Sequence, residues 1–221
     1  MKRVFVILAA AFVGVAFGNA QMHFSVGAQA GSSFSSFPSP ESDFFGMGYG
    51  GGVHGDLTIM KYFAARLNFD YFMFTSKKDK IASTFANTLN AQGQTDPQGN
   101  PFTASDFGIS GFNGNIFGIN ADAIGKLPLV GSPFEPYALV GFGLGIISIS
   151  SPTITFQGRD ITQQANIQTN STTKFSMNFG GGAEYHLRVV SLFLEVRYVL
   201  IFTSDNSTGH VPVVVGVSIP M

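Results

Sequence analysis

The chain has 221 residues, no Cys, and only 11% charged residues. That is about half the charge usual in a soluble domain, the length suits one main domain, and a missing Cys rules out disulfides and Cys-based metal sites. Net charge is −1, with 12 basic against 13 acidic residues, so no basic field exists for nucleic acid.

Lys2 and Arg3 precede an uncharged apolar stretch from Val4 to Phe17. Gly18-Asn19-Ala20 then offers small residues before Gln21. This is the pattern of a secretory signal over residues 1–20, too short to span a membrane, with a mature domain over residues 21–221.

Downstream, apolar and polar residues alternate with period two, the spacing of strands. The first predicted strand is Met22 to Gly31, with Phe24, Val26, Ala28 and Ala30 opposite His23, Ser25 and Gln29. A Ser/Pro-rich loop follows. The second strand, Gly46 to Met60, sets Val53, Leu57 and Ile59 against His54, Asp56 and Thr58. After a short turn at Met60–Lys61, the third runs from Tyr62 to Thr75. There Phe63, Ala65, Leu67, Phe69, Tyr71 and Met73 oppose Arg66, Asn68 and Asp70.

Residues 76–106 read as a long polar loop, with Ile81, Phe85 and Leu89 spaced for a short amphipathic helix. The fourth strand is predicted over Phe107 to Lys126, with Asn120 and Asp122 on its polar face. The fifth, Tyr137 to Ser150, has Gly at 141, 143 and 145, which fits a small face against a crowded interior. Its apolar part is too short for a spanning helix. Residues 151–173 read as another polar loop.

The segment from Lys174 to Phe202 carries the clearest signal. Phe175, Met177, Phe179, Ala183, Tyr185, Leu187, Leu192, Leu194, Val196, Tyr198, Leu200 and Phe202 form one face. Lys174, Ser176, Asn178, Glu184, His186, Glu195 and Arg197 form the other. A tight corner at 187–190 joins the two strands. The eighth strand is about His210 to Ile219, after a turn-rich 203–209. One wholly apolar face against a partly ionic one is the pattern of a wall between two solvents. Long and short connections alternate, so every long loop lies at one end. The fold implied is an all-β, eight-stranded antiparallel up-and-down transmembrane barrel, with long loops outside and tight turns in the periplasm.

The phrases PYALVGFGLGI, FSMNFGGGAEYHL, LFLEVRYVL and VPVVVGVSI resemble strands of the small outer-membrane β-barrel family related to the transmembrane domain of outer membrane protein A. The resemblance covers roughly the whole mature chain. It implies a bacterial outer-membrane location and a polar, plugged interior. It also implies a monomer in outer-membrane lipid, with periplasmic chaperones and the barrel-insertion machinery as partners during biogenesis. The chain ends at Ile219-Pro220-Met221 rather than in the aromatic residue common in the family. No peptidoglycan-binding segment follows, so no cell-wall tether is expected.

Arg66, Asp70, Asp122, Glu184, Glu195 and Arg197 share the inward phase and form the candidate polar network of the lumen. An unpaired buried charge is costly, so opposite charges should pair there. A structural plug is favoured over a narrow ion path, because eight strands leave an interior about filled by side chains. His54 with Asp56, and Glu184 with His186, offer metal-ligand chemistry if opposite walls bring them together. A lumen His more often joins a hydrogen-bond network, and neither a cofactor nor a metal is expected. Ser204, Asp205 and His210 are the nearest approach to a hydrolytic set, but loop Ser and Asp are common turn residues. No enzyme activity is predicted. Tyr62, Tyr71, Tyr137, Tyr185 and Tyr198 are candidates for an aromatic girdle. The expected role is structural or surface interaction. The alternatives are a small pore or uptake barrel, or a soluble secreted lipocalin-like barrel with its apolar faces inward.

Overall fold

The computed structural model describes residues 22–36, 44–165, 171–202 and 207–221. The signal segment, Ser204 and Asp205 lie outside the described residues. Eight strands close into an antiparallel barrel: β1 (His23–Ser36), β2 (Phe45–Met60), β3 (Phe63–Ser76), β5 (Asn113–Lys126), β6 (Phe134–Ile149), β9 (Ser171–His186), β10 (Ser191–Phe202) and β11 (Ser207–Pro220). Each pairs with its chain neighbour in the wall, and β1 pairs with β11 to close it, which leaves no free barrel edge.

The apolar stripes face outward. Leu194 is 51% exposed, Phe142 61% and Val140 55%, whereas Glu195 between the β10 stripes is fully buried. A lipocalin-like barrel would have the reverse polarity. The same alternation settles the facing of β6. Ala138, Val140, Phe142 and Leu144 point out, while Tyr137, Leu139 and the glycines at 141, 143 and 145 point in.

Three connections are tight: residues 61–62, 127–133 and 187–190. The corner at 187–190 is closed by a 2.9 Å bond from the Leu187 amide to the Val190 carbonyl. The long connections leave from the other end, and their described parts, residues 77–112 and 150–165, fold together. Helix α1 (Lys78–Ala91) uses the four-residue spacing of Ile81, Phe85 and Leu89 to pack on a small sheet of β4 (Phe107–Ser110), β7 (Thr153–Phe156) and β8 (Arg159–Asp160). Phe102, Phe107 and Phe156 form its aromatic centre, with ring centroids 5.4–5.7 Å apart. Thr103 caps a short 3-10 turn here, and its hydroxyl and amide hold the Asp106 carboxyl below the usual carboxylate range.

Three expectations change. The single strand predicted over 107–126 is two. The chain breaks at Gly111, whose φ of +76° suits glycine, so β4 leaves the barrel for the cap. The polar loop at 151–173 carries β7 and β8, because Phe156 packs into the apolar cap and the buried Ile154 pairs with Ile109 of β4. Strand β1 runs on to Ser36, its serines pairing with β11 through backbone bonds that need no β-former.

Candidate functional site: the barrel interior

The interior is built in tiers. Nearest the tight turns, Lys126 Nζ lies 3.2 Å from Glu184 and 3.3 Å from Glu135. His186 Nε2 stands 3.6 Å from Glu135 and 3.8 Å from Glu184, and its Nδ1 is 2.8 Å from the Ser191 hydroxyl. Glu135, Glu184 and His186 could together offer metal ligands. The Lys126 ammonium, however, already lies against both carboxylates. The two sequence-predicted ligand pairs do not meet, because His54 and Asp56 belong to the next tier.

That tier centres on Arg66. Its Nε and Nη2 donate to the two Asp56 oxygens at 2.7 and 2.8 Å, and its Nη1 donates to Glu195 at 2.7 Å. This fork-to-fork geometry is the strongest form of a carboxylate pair. Asp56 and Arg66 are direct cross-strand partners in the β2–β3 hairpin, so local register alone brings them together. Tyr137 donates its hydroxyl to Glu195 at 2.7 Å, and the Arg66 guanidinium lies 5.8 Å from the Tyr137 and Phe193 ring centres. His54 sits edge-on to Phe193 at 5.2 Å.

Glu195 also accepts from Arg197, which joins this tier to the one above. Arg197 Nη1 is 3.6 Å from Asp70 and 3.5 Å from Asp122. Asn178 donates to Asp122 at 3.0 Å, while Gln29 and Asn68 donate to Asp70. The narrow packing depends on glycine. A Cβ at Gly141 would collide with the Asp122 carboxylate, and one at Gly182 would meet the Tyr137 ring about 2.7 Å away.

Toward the long-loop end the interior turns apolar. Phe45, Phe72, Phe74, Ile116, Val199, Ile201 and Val214 pack together. His210 is buried there, 2.9 Å from Ser33 and against the Phe72 and Phe74 rings. Phe112 touches both this tier and the cap. A cavity of about 10 Å³ remains between the ionic and apolar tiers, beside Asp70, Asn120, Ser176 and His210. That is about the size of one water.

All six sequence-predicted lumen residues are therefore inside, but not as one set. Arg66, Glu195, Arg197, Asp70 and Asp122 form one connected chain of charges, and Glu184 belongs to the separate turn-end group. Asp56 is the member that sequence reasoning left out of the network, although its inward phase was legible. Tyr137 leaves the predicted girdle because its hydroxyl serves Glu195 inside the wall. Tyr62, Tyr71 and Tyr185 are exposed on the outer surface. His210, the histidine weighed for a hydrolytic set, is enclosed among side chains.

A family model described as "Outer membrane protein beta-barrel domain" matches residues 4–218. No curated protein matches the chain. Among solved structures it is similar to a major outer membrane protein from Thermus thermophilus, at 17% identity, covering 91% of this chain and 100% of that one, with a TM-score of 0.55. It is also similar to Neisserial surface protein A, at 15% identity, 90% and 96% coverage and a TM-score of 0.49. A third is the N-terminal β-barrel domain of Pseudomonas aeruginosa OprF, at 13% identity, 91% and 100% coverage and a TM-score of 0.45.

Proposed function

Since the chain belongs to the outer membrane protein β-barrel family and resides in the bacterial outer membrane, we propose that it is a non-conducting barrel with a structural and surface-interaction role. The observation that carries this reading is the filled interior. A continuous chain from Asp56 through Arg66, Glu195 and Arg197 to Asp70 and Asp122 crosses the lumen, and the apolar tier of Phe72, Phe74 and Ile201 lies above it. Ions need a continuous wet path, and an eight-stranded interior filled by side chains provides none.

The folded cap of α1, β4, β7 and β8 is then the part offered to partners, since outer-membrane barrels place long loops outside and short turns in the periplasm. The same reading makes residues 1–20 a cleaved export signal. It takes the barrel as a monomer in outer-membrane lipid, delivered by periplasmic chaperones and the insertion machinery. It assigns no catalysis to the interior, where His210 is walled in by Phe72, Phe74 and Ser33.

A vesicle-leakage assay tests it. Vesicles carrying the refolded barrel should retain potassium as protein-free vesicles do. Release that scales with the amount of barrel would favour a small pore.

A further inference from the structure

Turns that face water favour Gly, Pro, Asn, Asp and Ser. Two of the three tight turns have none of these, and the third sets Leu127, Leu129 and Val130 beside Pro128, Gly131, Ser132 and Pro133. The three read Met60-Lys61-Tyr62, Leu127-Pro128-Leu129-Val130-Gly131-Ser132-Pro133 and Leu187-Arg188-Val189-Val190. Their apolar side chains are displayed: Val130 is 100% exposed and Val189 72%. The two charges these turns carry, Lys61 and Arg188, are both exposed cations. The nearby acids, Glu135 and Glu184, turn inward onto Lys126 and His186.

The outer wall has a matching asymmetry. At the long-loop end Thr75, Asn113, Asn115, Thr173 and Ser207 take outward positions, although Phe34 and Phe202 still face out among them. At the turn end the outward positions stay apolar to the last residue: Phe63, Phe134, Tyr185, Leu192 and Ile219 are all exposed. Along β3 the apolar face covers residues 63–73, about the ~9–11 residues a tilted strand needs to cross a bilayer. The span is therefore used up when the chain reaches the turn.

We infer that the tight turns are seated in the headgroup layer of the adjoining phospholipid leaflet, with Leu129, Val130 and Val189 at the acyl boundary and Lys61 and Arg188 on lipid phosphates. Two arguments name the occupant. The apolar turns are continuous with the lipid-facing wall, and cations without exposed acids complement phosphate headgroups. The turn end is thus a collar that fixes the barrel's depth, and it serves in whichever compartment the turns face.

The chain has no native Cys, so single labels are clean. Nitroxides at Val130→Cys, Val189→Cys, Leu67→Cys in the wall and Gln98→Cys in the cap are placed in phosphatidylethanolamine–phosphatidylglycerol vesicles. Collision with a water-soluble nickel chelate is compared with collision with oxygen. The inference predicts nickel accessibility at 130 and 189 several-fold below that at 98, and between 98 and 67. Values at 130 and 189 equal to 98, with 67 still lipid-like, would overturn the collar and leave the membrane barrel standing. Water-like values at 67 as well would instead sink the reading of the wall.

Discussion

Replacing Arg66 with Met isolates the interior's central contact. The substitution nearly conserves volume but removes two bonds to Asp56, at 2.7 and 2.8 Å, and one to Glu195, at 2.7 Å. All three side chains are at most 2% exposed. Breaking a buried pair from one side costs about 3–5 kcal/mol, because the abandoned charge stays in low dielectric. Here two carboxylates are abandoned, but Glu195 keeps Tyr137 and Arg197. Asp56 therefore carries most of the penalty, and about 4 kcal/mol is expected. Adding Asp56→Asn to the Met variant removes that charge and should recover about half of the loss, or about 2 kcal/mol. Urea-dependent folding into lipid vesicles, read by heat-modifiable gel mobility and far-UV circular dichroism, measures both. A loss below about 1 kcal/mol for Arg66→Met would place the pair in the class of solvent-screened surface bridges. The tiered account would then be wrong.

Tyr137→Phe should cost about 1.5–3 kcal/mol in the same assay, the range for a hydrogen bond to a charged group; no change would return Tyr137 to an ordinary wall role. Leu194→Lys puts a cation on the lipid face and should cost about 2–4 kcal/mol if position 194 lies near the midplane, whereas an unaffected folding yield would contradict the outward facing of β10. Phe107→Ala removes the aromatic centre of the cap, and hydrogen exchange should speed up in α1, β4 and β7 while the barrel strands stay protected. The Asp106 carboxyl, held below its usual range by Thr103, supports its turn fully above the ordinary carboxylate pKa of about 4 and loses that support as pH falls below it. Amide exchange at Thr103 should therefore rise above its intrinsic pH trend in acid, and Asp106→Asn should flatten that response.

Period-two alternation carried most of the wall. It gave the facing of β3, β9 and β10, since each sets charges against an unbroken apolar stripe. It failed where both faces are apolar. Tyr71-Phe72-Met73-Phe74 offers no contrast, so the inward tier of Phe72 and Phe74 was invisible until the barrel closed around it. The facing of β6 was hidden for a related reason, because glycines at 141, 143 and 145 mark a face without saying which solvent it meets. That masked Tyr137, whose partner Glu195 is two strands away across the wall. The Asp56–Arg66 pair was within reach, as the two flank a tight turn at matching phase. Arg66–Glu195 was not, because it depends on closure between strands distant in sequence. The cap was underestimated because β4, β7 and β8 are too short to show a period, and only the α1 spacing announced it.

The central claim is that the lumen is closed by its own side chains. Single-channel recording of the refolded barrel in a planar bilayer tests it most directly. The account predicts a quiet baseline in molar potassium chloride across both polarities. Steady, reproducible openings that scale with the number of inserted barrels would contradict it.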